Sequence, residues 1–116
     1  MKVLLINPPF QDSFYNREFY LPSSLLYLAG SLQEKGHNPK ILDLKTFHQQ
    51  RPNKNFYESK ILKTISEFEP NLIGFGCLFS GDFPSVLNYS NLTKQHHPKI
   101  PNVIGGITQH YMLKKF

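Results

Sequence analysis

Short apolar runs alternate with longer helical patterns along this chain. The first run, Val3-Leu4-Leu5-Ile6, is continuous, which is typical of a strand covered on both faces in a parallel sheet. Three further runs lie between turn-forming residues, at positions 41–44, 72–75 and 103–104. The starts of the runs are separated by roughly 30 to 40 residues, the length of a βαβ unit. We therefore predict four strands joined by helices.

The first predicted helix has an apolar stripe at helical spacing. Its members are Leu25, Leu28, Ala29 and Leu32. Gly36 is placed to end this helix, because glycine readily adopts the left-handed conformation that closes many helices. The pattern predicts that the stripe packs on one face of the sheet.

Two more segments have helical patterns. In the second, Asn55 is placed to accept hydrogen bonds from the first-turn N–H groups and Glu58 to reach back, a variant of the capping box. The third is expected to start near Asp82, with Pro84 in its first turn. The apolar positions of the two segments are Ile61, Leu62, Ile65 and Phe68, and Val86, Leu87 and Leu92. A proline follows each segment, at Pro70 and Pro98.

The order of these elements predicts an α/β fold of the flavodoxin-like or Rossmann-like type, a doubly wound parallel sheet in three layers. The expected strand order is 2-1-3-4, and a fifth strand usually follows. Since the pattern supplies four strands, we expect a single domain over residues 1–116 that is truncated at its C-terminus. A last helix is predicted from Gln109, and residues 10–20 and 46–55 are predicted to be polar loops.

Composition and charge narrow the class of protein. The 13 Lys and Arg residues, against 8 Asp and Glu, are spread along the chain. We interpret them as solvated helix faces and loops and expect no nucleic-acid partner. Cys77 is the only cysteine, which excludes an internal disulfide and indicates a reducing, cytoplasmic setting. No apolar run approaches the roughly 20 residues that span a bilayer, so we expect no membrane partner.

A ligand is expected at the carboxyl ends of the strands, where open α/β sheets bind their ligands. The first strand is followed by Asn-Pro-Pro-Phe instead of the G-x-G-x-x-G of a dinucleotide site, and the chain has no P-loop. Glycine-rich segments follow the third and fourth strands. They either let a large planar ligand approach the backbone or only form tight turns, and the spacing does not decide between these explanations.

The first ten residues, with Lys2-Val3-Leu4-Leu5-Ile6-Asn7-Pro8-Pro9-Phe10, resemble the start of the N-terminal cobalamin-binding domain of class B radical-SAM enzymes. Residues 25–44, LLYLAGSLQEKGHNPKILDL, are similar to that family's first helix, its Gly36-His37 turn and its second strand. The segments Asn71-Leu72-Ile73-Gly74-Phe75 and Val103-Ile104-Gly105-Gly106 follow in the family's order. The resemblance covers nearly the whole chain and implies a flavodoxin-like fold with cobalamin as its cofactor.

The resemblance also implies which residues contact the cofactor. In the family, cobalamin lies between this domain and a following barrel, with its nucleotide tail along the strand ends. The corresponding residues are Asn7, Pro8, Pro9 and Phe10 beside the corrin, Gly105, Gly106 and Thr108 along the tail, and Ser80 with the backbone of Gly76 and Cys77. Asp43, near the end of the second strand, is placed either to bind a sugar hydroxyl or to cap a turn.

Two features of cobalamin and radical-SAM proteins are missing from the chain. The D-x-H-x-x-G motif, which supplies a histidine to cobalt, is absent, and so is the three-cysteine C-x-x-x-C-x-x-C motif that holds the iron–sulfur cluster. We therefore expect no iron–sulfur cluster, no catalytic residue and no metal ligand in this chain. The expected partners are cobalamin and a radical-SAM domain or chain that completes the sheet.

Other interpretations of the chain stay open. It is either a cobalamin-binding module that is not catalytic alone, a structural remnant that docks to a partner, or a small flavin- or nucleotide-binding protein. Cys77 is either a reactive thiol or a half-buried packing residue. His37 is expected to stabilise the turn after the first helix. The remaining histidines are His48, His96, His97 and His110, of which His110 is the candidate on the ligand side.

Overall fold

Four parallel strands form one sheet in the computed structural model, which describes residues 1–9, 23–50, 52–77 and 83–106. The strands are β1 Lys2–Asn7, β2 Asn38–Asp43, β3 Leu72–Cys77 and β4 Asn102–Gly106. They lie in the order β2-β1-β3-β4 and pair in parallel throughout. The predicted flavodoxin-like α/β fold is confirmed, as is the predicted order of these four strands.

Three α-helices and a 3₁₀ helix connect the described strands. The helices are α1 Ser23–Glu34, α2 Lys54–Phe68 and α3 Phe83–His96, and the 3₁₀ helix is Leu44–Gln50. The prediction of a loop over residues 46–55 was wrong for most of its length. The ring of Phe47 in this segment meets the ring of Phe56 in α2 edge to face, with centroids 5.2 Å apart, and so holds the 3₁₀ helix against α2. Both rings also pack against the core.

The larger core lies between the sheet and helices α2 and α3. The sheet contributes side chains that alternate along the strands, and the helices contribute their apolar faces. The fully or nearly fully buried members include Leu4, Ile6, Ile73, Phe75, Tyr57, Ile61, Ile65, Val86 and Tyr89. The predicted inner face of α2 is confirmed at Ile61 and Ile65, which are 0% and 2% exposed.

Helix α1 packs on the opposite face of the sheet and builds a much smaller core. Val3, Leu5 and Leu25 are its buried members, with Ala29 and Leu32 partly buried beside them. Leu28 was predicted to belong to the buried stripe, but it is 45% exposed. Val103 of β4 is 51% exposed. Within the described residues, α1 therefore covers only part of this face.

Two of the helix ends that the sequence predicted have different outcomes. Gly36 has a left-handed φ of 86°, and the N–H of His37 donates to the carbonyl oxygen of Leu32 over 2.9 Å, so the predicted end of α1 is confirmed. The predicted cap of α2 at Asn55 is wrong. Asn53 has the extended backbone of an N-cap, and its side chain accepts a hydrogen bond from the N–H of Phe56 over 2.9 Å.

The buried face of α3 is partly polar, which the apolar pattern did not indicate. Its buried residues are Val86, Tyr89, Ser90 and Thr93. The side-chain amide of Asn102 donates to the Ser90 carbonyl oxygen over 3.2 Å and to Thr93 Oγ1 over 2.9 Å. These hydrogen bonds connect α3 to the start of β4. Leu87 and Leu92, which were predicted as the apolar face of this helix, are only partly buried.

Several predicted features lie outside the described residues. They are the helix start at Asp82, the loop over residues 10–20 and the helix from Gln109. In the described ranges, no helix combines the length and the apolar character that a membrane crossing requires.

Candidate functional site

The carboxyl ends of the four strands meet along one edge of the sheet because the strands are parallel. Asn7 at the end of β1 is the register partner of Asp43 at the end of β2. Gly76 of β3 is the register partner of Gly105 of β4. The sheet thus places the predicted residues in two neighbouring pairs, one polar and the other without side chains.

Asn7, Asp43 and Lys45 form a hydrogen-bonded network at the polar half of this edge. Asn7 is 0% exposed, and its Nδ2 donates to Asp43 Oδ1 over 2.9 Å. The ammonium of Lys45 donates to Asn7 Oδ1 over 3.3 Å and to the carbonyl oxygen of Pro8 over 2.7 Å. Both ends of the Asn7 amide are therefore engaged, which fixes its orientation.

Lys45 is the residue of this network that the sequence did not indicate. It was grouped with the solvated basic residues, and that interpretation is wrong because Lys45 is only 3% exposed. A buried ammonium is costly unless acceptors replace its water. Asn7 and Pro8 supply two such acceptors. The sequence around Lys45 does not reveal these acceptors, since Asn7 ends β1 and Pro8 follows it, whereas Lys45 lies in the 3₁₀ helix after β2.

The sequence left two roles open for Asp43, a contact with a sugar hydroxyl or a turn cap. The structure shows the geometry of the turn cap. Its Oδ1 accepts a hydrogen bond from the backbone N–H of Lys45 over 3.2 Å, as in an Asx-turn. The hydroxyl of Thr46 donates to the Asp43 carbonyl oxygen over 2.8 Å. These contacts lead the chain from β2 directly into the 3₁₀ helix. A contact between Asp43 and a sugar hydroxyl stays a prediction.

An apolar groove lies on the α1 face of the sheet and reaches the other half of the edge. We call it the α1 groove. Its lining includes Val3, Leu5, Leu25, Leu28, Leu32, Leu72, Gly74, Gly76, Val103 and Gly105. The volume is about 450 Å³, within the range of roughly 300–1,000 Å³ that is usual for small-molecule sites.

Two glycines of β3 line the floor of the α1 groove. A Cβ at Gly74 would lie 3.1 Å from Cδ2 of Leu5, and a Cβ at Gly76 would lie 3.4 Å from the side chain of Leu25. The side chains of Leu5 and Leu25 therefore lie close to the strand backbone where it lines the groove. Tight turns do not account for these glycines, because Gly74 and Gly76 lie within β3 and Gly105 lies within β4.

Other predicted site residues lie at the same edge in different environments. Pro8 and Pro9 follow β1 and are buried. Gly106 ends β4 opposite Cys77. The expectation of a half-buried thiol was wrong, because the Cys77 side chain is 0% exposed and packs in the larger core, on the face away from the α1 groove. Cys77 therefore presents only its backbone near the groove.

His37 and His96 lie away from this edge. His37 is at the amino end of β2, where its Nδ1 is 2.9 Å from the N-terminal amine of Met1. His96 ends α3, with Nδ1 3.0 Å from the Leu92 carbonyl oxygen. Among the described residues, no group of three His, Cys, Asp or Glu side chains is placed to hold a metal ion.

Several predicted site residues cannot be placed in the structure. Phe10, Ser80, Thr108 and His110 lie outside the described residues, as does the side chain of His48.

Known proteins resemble nearly the whole of this chain. The family model of the B12 binding domain matches residues 18–115. Cytidylyl-2-hydroxyethylphosphonate methyltransferase from Streptomyces wedmorensis is 27% identical over 126 residues, which cover 97% of this chain and 23% of that protein. The chain thus spans less than a quarter of the relative's length. No solved structure matches it significantly.

The family match confirms the cobalamin cofactor that the sequence resemblance implied, and it agrees with the flavodoxin-like sheet. Its matched range begins ahead of α1 and includes β2, β3 and β4, together with the strand-end residues from Asp43 to Gly106. The chain belongs to the B12-binding domain family.

Proposed function

We propose that this chain is the cobalamin-binding module of a radical-SAM methyltransferase and that it is not catalytic alone. The observation that carries the proposal is the α1 groove, which is apolar and reaches the carboxyl edge of the sheet at Gly76 and Gly105. The nucleotide tail of cobalamin ends in a flat aromatic base. A base that enters the groove leaves the corrin over the neighbouring turn at Asn7, Pro8 and Pro9.

The two halves of the edge suit two parts of cobalamin. Leu5, Leu25 and Val103 give the groove apolar walls for the base. The proposed contact for the ribose and phosphate is the backbone at Gly76 and Gly105, which adds no side chain of its own to this edge. At the polar half, the partly buried carboxylate of Asp43 is proposed to accept a hydrogen bond from a sugar hydroxyl of the cofactor.

The reaction class is supported by the named relative. Bound cobalamin supplies a cobalt that can carry a methyl group, and the Streptomyces wedmorensis protein is a methyltransferase by name. A radical-SAM cluster needs three cysteine ligands, and this chain contains Cys77 alone. The proposal therefore requires a radical-SAM domain or chain as the partner that supplies the cluster.

Cofactor binding tests the proposal directly. The purified chain is mixed with hydroxocobalamin at ~100 μM, a concentration that detects weak binding, and the red cofactor is expected to co-elute with the protein on gel filtration. Cobinamide, which has the corrin but lacks the nucleotide tail, serves as the matched ligand. If the tail occupies the groove, cobinamide binds with a dissociation constant at least about tenfold higher.

Two results would contradict different parts of the proposal. Clean separation of protein and cobalamin would show that the chain does not bind the cofactor by itself. Equal affinity for cobalamin and cobinamide would instead show that the nucleotide tail does not occupy the α1 groove. It would not contradict binding of the corrin.

A further inference from the structure

We propose that Lys45 is a positioning residue for cobalamin binding, because it holds the turn Asn7-Pro8-Pro9 against the end of β2. The inference rests on the proposed cobalamin site and adds a residue to it. The geometry is the pair of hydrogen bonds from Lys45 Nζ, over 2.7 Å to the Pro8 carbonyl oxygen and over 3.3 Å to Asn7 Oδ1.

The turn needs such a side chain because its own backbone cannot hold it. Asn7 is the last residue of β1. Pro8 and Pro9 follow, and proline has no N–H to donate to a neighbouring strand. The backbone ladder between β1 and β2 therefore cannot continue through them. The carbonyl oxygen of Pro8 remains available as an acceptor, and Lys45 binds it from the β2 side.

Burial makes this contact a fixed one. Lys45 is 3% exposed and Asn7 is 0% exposed. Loss of either hydrogen bond would leave a polar group away from water, which is unfavourable. The backbone of Lys45 is held as well, since its N–H donates to Asp43 Oδ1 over 3.2 Å. Lys45 is thus held at its backbone by Asp43 and at its ammonium group by the turn.

The position of the turn matters because it adjoins the proposed corrin site. Because Asn7, Pro8 and Pro9 are buried, a turn that moves away from β2 would change the shape of the carboxyl edge beside the proposed corrin. Lys45 itself need not touch cobalamin for this effect. Its removal is therefore expected to weaken binding through the conformation of Pro8 and Pro9.

The main test compares Lys45→Met with wild type and with Lys35→Met. Lys35 is exposed at the end of α1, so the control makes the same chemical change at a solvated site. The dissociation constant for hydroxocobalamin is expected to rise at least about tenfold in Lys45→Met and to stay at the wild-type value in Lys35→Met. If Lys45→Met does not fold, Lys45→Gln replaces it, since its shorter amide stays polar but falls short of the Pro8 oxygen.

A second measurement reports on the turn without any cofactor. Carbon-13 NMR of proline-labelled protein is expected to show one set of Pro9 signals in wild type. Lys45→Met or Lys45→Gln is expected to shift or multiply those signals, because the Pro8–Pro9 peptide unit loses its hydrogen bond. Lys35→Met is expected to leave them unchanged.

The two readouts separate this inference from the function on which it rests. If wild type does not bind cobalamin, the proposed function fails, whereas the Pro9 signals still decide whether Lys45 holds the turn. If wild type binds and the Lys45 variants bind equally well, the inference is overturned. Weaker binding with unchanged Pro9 signals would also overturn it, since Lys45 would then act in some way other than by positioning the turn.

Discussion

Gly76 of β3 lies opposite Gly105 of β4, so two adjacent strands lack side chains at the same end of the sheet. The pair lines the α1 groove where the groove reaches the carboxyl edge. A side chain at either position would occupy space that the proposed nucleotide tail needs. Substitution at the pair therefore tests the proposed site, with folding measured alongside because Leu25 packs next to Gly76.

Gly76→Leu is expected to raise the dissociation constant for cobalamin at least about tenfold, because the new side chain fills the groove. Gly76→Ala is the graded companion, since its Cβ would lie 3.4 Å from Leu25, an ordinary contact distance. Titration of each variant by the absorbance of cobalamin measures the effect. Undiminished affinity in Gly76→Leu, with a native circular dichroism spectrum, would argue against a tail in the groove.

The same substitution at two glycines of the α1 region is expected to have opposite effects on stability. Gly30→Ala should raise the free energy of unfolding by about 0.5–1 kcal/mol, because Gly30 lies within α1 and no atom comes within 4 Å of an added Cβ. Gly36→Ala should lower it by about 1–2 kcal/mol, because Gly36 has a φ of 86°. Urea denaturation measures both, and equal effects would contradict the left-handed end of α1.

Asn53→Ala is expected to lower the free energy of unfolding by about 1 kcal/mol, because it removes the acceptor for the Phe56 N–H at the start of α2. Asn55→Ala is the matched control inside the helix, where alanine is the better helix former. Thermal unfolding of the two variants distinguishes them. A larger loss in Asn55→Ala would reverse the assignment of the cap.

Tyr89 is expected to make folding sensitive to alkaline pH. Burial raises its pKa from 10.0 to about 12, and the charges of Glu58 and Tyr57 add to the rise. Since the folded pKa lies above the unfolded one, the resulting stability is complete below pH 10 and is lost as pH rises towards about 12.

Tyr89→Phe should therefore show a smaller loss of unfolding free energy between pH 10 and about 12 than wild type. The control is Tyr27→Phe, because Tyr27 is 82% exposed. Urea unfolding across this pH interval gives the comparison. An unchanged pH dependence in Tyr89→Phe would show that other groups account for the alkaline loss.

The sequence predicted those features that depend on local pattern. The continuous run Val3-Leu4-Leu5-Ile6 predicted a strand buried on both faces, and all four residues are buried. Gly36 predicted the end of α1 because the left-handed turn that closes a helix depends only on the residues at that helix end. The placement of Asn7, Asp43, Gly76 and Gly105 at one edge followed from the topology of parallel strands.

The features that the sequence did not predict depend on partners far along the chain. Lys45 is buried because Asn7 and Pro8, which precede it by 38 and 37 residues, accept its hydrogen bonds. Thr93 is buried beside Asn102 of β4. The α1 groove is open because α1 covers only part of its face of the sheet, and the sequence does not show how much of a face a helix will cover. Hydrophobic patterns indicate that a side chain is apolar, but they do not reveal what lies opposite it.

Because the two helix layers bury unequal cores, we expect bound cobalamin to stabilise the α1 side of the domain. Helix α1 is held by a few buried side chains beside an open groove, whereas α2 and α3 share the larger core. We expect the backbone amides of α1 to exchange with deuterium before those of α2 in the cofactor-free chain, because fewer apolar contacts oppose its local opening. Cobalamin in the groove would replace the missing contacts and slow that exchange in proportion to its occupancy. Cobalamin would then act both as the ligand of this domain and as a component of its hydrophobic interior.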